Sequence, residues 1–139
     1  MIEAQPAIFS FKEFKVPQFS YNEANQSDSN LKLGFKPSGR YESSTGIFEL
    51  KIMFIASVDK EEGETIFDLT SVATFQFESA PILEDIPSYF YKNSIAIVFP
   101  YIRAFISTLT LQANTRLLRL GLMNLSNLEK PLIENTIAV

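Results

Sequence analysis

Residues Ile95–Asn114 read IAIVFPYIRAFISTLTLQAN, the longest apolar segment of the chain, and Pro100, Arg103, Ser107 and Thr110 interrupt it on a helical rhythm. Proline suits the first turn of a helix, where its missing N–H costs nothing, so this reading starts a helix at Pro100. Arg103, Ser107, Thr110 and Asn114 then fall on one narrow stripe, while Ile102, Phe105, Ile106, Leu109 and Ala113 cover most of the remaining circumference. A surface helix carries an apolar stripe and a broad polar face, and this one is too apolar for the surface of a monomer. It is expected to be covered by its own domain on one side and by a partner subunit on the other, with Ile102, Phe105, Ile106 and Leu109 at the oligomer interface. The rival reading is a membrane span of roughly 20 predominantly apolar residues. Pro100 and Arg103 fall inside that window, and a central charge costs at least about 2.5 kcal/mol, so no membrane insertion is expected.

The composition agrees with a folded domain. At 139 residues, 46% hydrophobic and 20% charged, residues 1–139 read as a single globular domain. The net charge of −4 argues against nucleic acid or anionic membrane as a partner. There are 13 Phe and 5 Tyr but no Trp, more aromatic surface than a small core plainly requires. Cysteine and histidine are both absent. This removes disulfides, thiol nucleophiles and thiolate metal sites together with the commonest general base and metal ligand. The N-terminus MIEAQPAIFSF has neither a positive n-region nor a long apolar h-region, so a soluble, cytoplasmic protein is expected.

Outward from the helix, the first half reads as strands. Phe9 and Phe11 share one parity and Phe14 and Val16 the other, which requires a bulge or strong bend, and Pro17 limits the continuation to an edge or bent segment. Asn22–Asn30 is a polar loop. Leu31, Leu33 and Phe35 alternate with Lys32, Gly34 and Lys36 as a half-buried strand that Pro37-Ser38-Gly39 should punctuate. From Gly46, Phe48, Leu50, Ile52, Phe54, Ala56 and Val58 point one way; Met53 and Ile55 make the second half apolar on both faces, as if covered twice. A charged turn at 59–63 leads into a strand over 64–79, closing an antiparallel hairpin. After Pro81 the pattern becomes helical, with a short segment around 86–91 before Pro100. Residues 117–128 read as an apolar loop along the body, with 129–139 a short tail. Strands first and helices afterwards imply an α+β domain with helices on one face of an antiparallel sheet.

No catalytic constellation emerges. Glu84-Asp85 suits a helix start. Glu61, Glu62 and Glu64 lack the ligand spacing of a calcium loop. Gly34 and Gly39 have no phosphate-loop context, and the serines have no histidine to activate them. The expectation is no enzyme, no cofactor and no metal. What remains is apolar surface: the Leu31/Leu33/Phe35 face, the Phe67–Phe77 face and the tail exceed what one helix covers. They form either core alone or, in part, a groove for extended apolar peptide.

The segment Ile97-Val98-Phe99-Pro100-Tyr101-Ile102-Arg103, followed by a Ser/Thr-bearing apolar helix, resembles the N-[IL]-LFPYAR-E signature of SecB, the bacterial protein-export chaperone. Met123-Asn124-Leu125-Ser126-Asn127-Leu128 is similar to that family's PVNF-x-x-L element, and the order of strands and helix agrees over about residues 9–128. The resemblance implies a four-stranded antiparallel sheet with helices on one side and a homotetramer built as a dimer of dimers. It also implies ATP-independent holding of unfolded or precursor proteins along apolar grooves for protein export and translocation. By position it puts client contacts at Leu31, Leu33 and Phe35, with Leu118, Leu120, Met123, Leu125 and Leu128 as the opposite wall. The acidic positions that face the SecA motor in the family fall at Gln18 and Asn22, whereas Ile66 and Asp68 keep an apolar and an acidic residue there. The chain ends in Thr136-Ile137-Ala138-Val139 rather than the family's acidic tail, so holding apolar peptide is expected more firmly than a SecA contact. Two alternatives stay open. One is a dedicated chaperone of a single partner such as an antitoxin, a role other SecB-like proteins fill; the other is a module for a small apolar ligand.

Overall fold

A computed structural model describes residues 1–4, 7–23, 31–59, 62–118, 120–121 and 123–139. Strands β1 (Phe9–Tyr21), β2 (Leu31–Glu42), β3 (Ile47–Val58) and β4 (Thr65–Phe77) come first, then the long helix α1 (Ser88–Gln112), the short helix α2 (Glu129–Glu134) and strand β5 (Thr136–Ala138). They form one five-stranded sheet in the order β1-β4-β3-β2-β5, antiparallel except where β5 runs parallel to β2. The expected loop over 22–30 lies outside the described residues from 24 onward, as do residues 60 and 61 of the turn at 59–63.

The inner face of the sheet follows the sequence alternation. Phe48, Leu50, Ile52, Phe54 and Ala56 of β3 and Phe67, Leu69, Ala73, Phe75 and Phe77 of β4 are all buried beneath α1. The parity switch in β1 is a bulge. Phe9 and Phe11 lie opposite Phe77 and Phe75, the register slips between Phe11 and Glu13, and Phe14 then faces Ala73. A second slip between Lys15 and Gln18, around Pro17, restores the first parity, so Phe19 faces Leu69 and Tyr21 faces Phe67. The slips let Phe9, Phe11, Phe14 and Tyr21 of one strand all pack on the core, while Phe19 stays 46% exposed with its ring 5.3 Å from that of Phe105. Phe90 of α1 fills the centre, with its ring 4.8–5.7 Å from those of Phe9, Phe48, Phe75, Phe77 and Tyr91.

Three expectations are corrected. First, β2 runs unbroken through Pro37-Ser38-Gly39 to Glu42. Gly39 donates its N–H outward to the Asn135 carbonyl of the β5 side. By the two-residue period, the missing N–H of Pro37 falls on that same edge rather than in the β3 ladder. Second, Pro100 lies inside α1, which starts at Ser88. Its ring faces the exposed side of the helix, and apolar burial of Phe90, Ile95, Val98 and Phe99 carries the helix through it. Third, the sheet has five strands rather than four, because residues 129–139 are no loose tail. They form α2 and β5, tied down by the Val139 N–H donating to the Tyr41 carbonyl (2.9 Å) and the Thr136 hydroxyl donating to the Leu132 carbonyl (2.6 Å). Gly46 adopts φ +75° at the β2–β3 turn, where a Cβ would come within 2.8 Å of the Phe77 carbonyl oxygen.

By length and composition α1 would suffice to cross a membrane, yet nine of its residues are buried against the chain's own sheet and loop. The polar stripe read from the sequence is not a solvent face. Thr110 is fully buried, donates to the Ile106 carbonyl (3.0 Å) and accepts from the Leu118 N–H (3.0 Å), while the Ser107 hydroxyl reaches the Leu118 carbonyl (3.4 Å). The stripe clamps the loop that comes after the helix. Ile102 and Ile106, expected at an oligomer interface, are fully buried in the chain's own core and have no surface to offer a second subunit; Phe105 and Leu109 are half-buried. The exposed side of α1 instead carries Tyr89, Ala96, Pro100, Tyr101, Ala104, Thr108 and Leu111. On the outer sheet face, Met53 and Ile55 are 38% and 44% exposed, so none of the described residues covers them.

Candidate functional site

An open cleft of about 380 Å³ lies between one side of α1 and the loop that returns toward α2. The helix contributes Lys92, Ile95, Ala96, Phe99, Pro100 and Arg103, which recur every three or four residues along one stripe; the loop contributes Met123, Asn124, Leu125 and Ser126. Its size and mostly apolar lining suit a few side chains of a larger ligand. Pro100 has no N–H to give the Ala96 carbonyl, so the cleft wall includes a helical acceptor without its intrahelical donor.

The loop wall is positioned at both ends. Upstream, the Leu118 backbone is held by Ser107 and Thr110, and Leu120 is buried in the core. Downstream, the Asn124 side chain accepts the Ser126 N–H (3.1 Å) in an Asx turn, and Leu128 is buried. Met123 and Leu125, between these anchors, are left half-buried against the cleft. On the helix side, the Phe99 ring lies 5.9 Å from that of Phe35, which packs on Phe54 at 5.1 Å, and the Arg103 guanidinium sits 5.7 Å from the Phe99 centroid.

The expected client residues therefore divide. Met123 and Leu125 line the cleft, Phe35 reaches it through Phe99, and Leu33 and Leu118 are half-buried beside the core. Leu31 is half-buried at the start of β2, away from that cluster. Leu120 and Leu128, at 4% and 8% exposure, are buried in the core, hold the loop and do not line this cleft. Of the expected translocase-facing pair, Ile66 is 1% exposed and presents no apolar surface, while Asp68 is half-exposed on the outer sheet face and accepts a hydrogen bond from Gln18 (3.2 Å). The sequence reading misses the helix wall of the cleft. Its signal is the stripe Lys92, Ile95/Ala96, Phe99, Arg103, which a helix starting at Pro100 hides. Among the described residues no three of Asp, Glu, His or Cys gather where a metal ion would bind.

The backbone superposes on the Mycobacterium tuberculosis Rv1957 SecB-like chaperone, solved in complex with a ChAD peptide from the Rv1956 HigA1 antitoxin, with a TM-score of 0.63 over 84% of this chain and 88% of that one, at 15% identity. The fold is SecB-like. A protein of unknown function from Streptococcus agalactiae is also similar, with a TM-score of 0.46 over 82% of this chain and 97% of that one, at 11% identity. No known family profile matches the sequence, and no curated protein resembles it in sequence. At such identity the SecB-like likeness is one of backbone, carried by an antiparallel sheet under one long helix. In this SecB-like frame the cleft is built within one chain, from α1 and the loop after it.

Proposed function

We propose that this protein is an ATP-independent chaperone, a holdase that binds unfolded or precursor polypeptide segments. The observation that carries the reading is an open apolar cleft, lined by Phe99, Met123 and Leu125, on a SecB-like fold. No nucleotide chemistry is needed for holding: burying about 1,000 Å² of apolar client surface contributes some 25 kcal/mol before the ordering costs of both partners. The same reading makes the protein soluble and cytoplasmic. It also makes it a homo-oligomer, a tetramer by resemblance, assembled through the exposed side of α1 around Tyr101 and Leu111. Delivery to SecA, and so a role in export, lies outside this reading, because Gln18 and Asn22 bring no charge to β1 and its end.

A second reading is favoured by one specific observation. The Rv1957 structure holds a peptide from an antitoxin, so dedication to a single partner of that kind suits this cleft equally. The two readings separate in aggregation assays. A general holdase suppresses aggregation of several unrelated unfolded proteins at near-stoichiometric ratio, and a dedicated one protects only the partner that co-purifies with it. Failure to protect any client, with no polypeptide co-purifying, would sink both. A tightly held lipid-like molecule in the purified protein would point to the small apolar ligand instead.

A further inference from the structure

We infer that the cleft selects segments in which acidic side chains bracket a short apolar stretch; this inference rests on the polypeptide-binding reading above. The cleft lining contains two cations, Lys92 and Arg103, and no carboxylate. Neither cation has a carboxylate within ion-pair distance among the described residues, whose ion pairs are Arg40–Glu49 and Lys130–Glu134. This local excess is set against a chain of net charge −4, in which acids outnumber bases 16 to 12. The Arg103 guanidinium is half-buried and rests near the Phe99 ring, so it is held at the cleft with its forked donors unspent on any described carboxylate.

The spacing sharpens the partner. Lys92 and Arg103 stand at opposite ends of the cleft's helical wall, about 16 Å apart at 1.5 Å per residue. An extended peptide covers that span in roughly five residues at about 3.3 Å each. Between the two charges lie Ala96 and Pro100, exposed over the buried Ile95 and Phe99 and faced by Met123 and Leu125. Because alternate side chains of an extended peptide share a face, the complementary segment is an acid, two apolar side chains on alternate residues, and a second acid six positions after the first, about 20 Å away and within reach of the long Lys92 and Arg103 side chains. A lysine at either bracketing position meets a like charge at the rim of the cleft.

The test uses the full chain and fluorescein-labelled peptides followed by anisotropy. A peptide built on Glu-Ala-Phe-Ala-Leu-Ala-Glu is compared with its Lys-bracketed counterpart and with an isomer that carries both acids at one end. The Glu-bracketed peptide should bind about tenfold tighter than the Lys-bracketed one and measurably tighter than the isomer. That ratio should fall to about one in the Lys92→Gln/Arg103→Gln variant and persist in Arg103→Lys. Equal binding of the peptides, or a ratio unchanged in the double variant, overturns the inference while leaving polypeptide binding intact. No binding of any peptide to a folded protein, judged by an unchanged thermal transition, overturns both. So does stoichiometric recovery of a fatty acid from the cleft.

Discussion

Gly39→Ala tests how β5 is held. Gly39 is buried in β2, and a Cβ built on it would lie 2.5 Å from the tip of the Phe48 ring and 2.6 Å from the Thr136 hydroxyl, where ordinary contact begins near 3.4 Å. Both contacts must be relieved, so β2 has to shift away from Phe48 and into the space that β5 occupies. Phe48 is fully buried against Tyr41, Phe90 and Tyr91, with ring centroids 4.8–6.1 Å away, so it has nowhere to go. Strand β5 is short and its Ile137 and Ala138 are exposed, so it should yield. Its release costs the parallel ladder of Gly39–Tyr41 with Thr136–Ala138 and two flanking hydrogen bonds, Gly39 to Asn135 (3.1 Å) and Val139 to Tyr41 (2.9 Å). The flanking pair alone, at about 1 kcal/mol net each, contributes ~2 kcal/mol. Replacing glycine inside a strand recovers about 0.5–1 kcal/mol. The net expected loss is therefore at least ~1 kcal/mol, read by urea denaturation, with a fall in Tm of at least about 4 °C. Hydrogen exchange supplies the second readout: the Val139 amide should lose protection while the β3–β4 ladder keeps it. A variant as stable as the parent, with Val139 still protected, would refute the close-packing argument. A loss above about 4 kcal/mol with β5 in place would show that the aromatic core took the strain instead.

Other expectations rest on the same contacts. Phe90→Ala removes a fully buried ring that touches five aromatic neighbours and should cost about 3–5 kcal/mol in denaturant unfolding; a loss below about 1 kcal/mol would mean the cluster repacks freely. Burial raises the pKa of Tyr41 and of Tyr91 above the ordinary tyrosine value of about 10. The folded state therefore keeps protons that the unfolded chain releases, and this stabilisation is complete below pH ~10 and lost as pH climbs through the folded values. Tyr41→Phe should flatten that alkaline loss, measured as ΔG against pH, while costing about 1 kcal/mol at neutral pH because the Pro81 carbonyl loses its donor. Leu111→Glu, on the exposed side of α1, should lower the mass seen by light scattering without changing the thermal transition of the isolated fold. An unchanged mass with an intact oligomer would move the interface off this helix.

The sheet was legible where its chemistry is local. Alternation in β3 and β4 places the inward side chains from Phe48 to Ala56 and from Phe67 to Phe77, though not the burial of Ile66, and the parity change from Phe11 to Phe14 marks a bulge, because a strand has a period of two. Pro100 misled for the converse reason. Proline's cost in a helix interior is local, about 3 kcal/mol, but the apolar burial that offsets it comes from Phe48, Phe54 and their neighbours, distant in sequence. The polar stripe Arg103, Ser107, Thr110 does lie on one face, yet its partner is the Leu118 backbone, and nothing in the residue types says whether a hydroxyl meets water or a loop. The cleft was half legible. Met123 and Leu125 came from the resemblance, whereas its helical wall needed the helix to be carried back to Ser88.

By itself, then, the sequence determined the α+β class, the pairing of β3 with β4, the bulged first strand and the absence of histidine and cysteine chemistry, all consequences of residue type and short-range period. Tertiary structure decided the rest. It set the fifth strand on the β2 edge, put Ile102 and Ile106 in the core rather than at an interface, and gathered Lys92 and Arg103 around an apolar cleft. Those outcomes depend on which surfaces meet, a sum over many weak contacts between distant segments that no local pattern encodes.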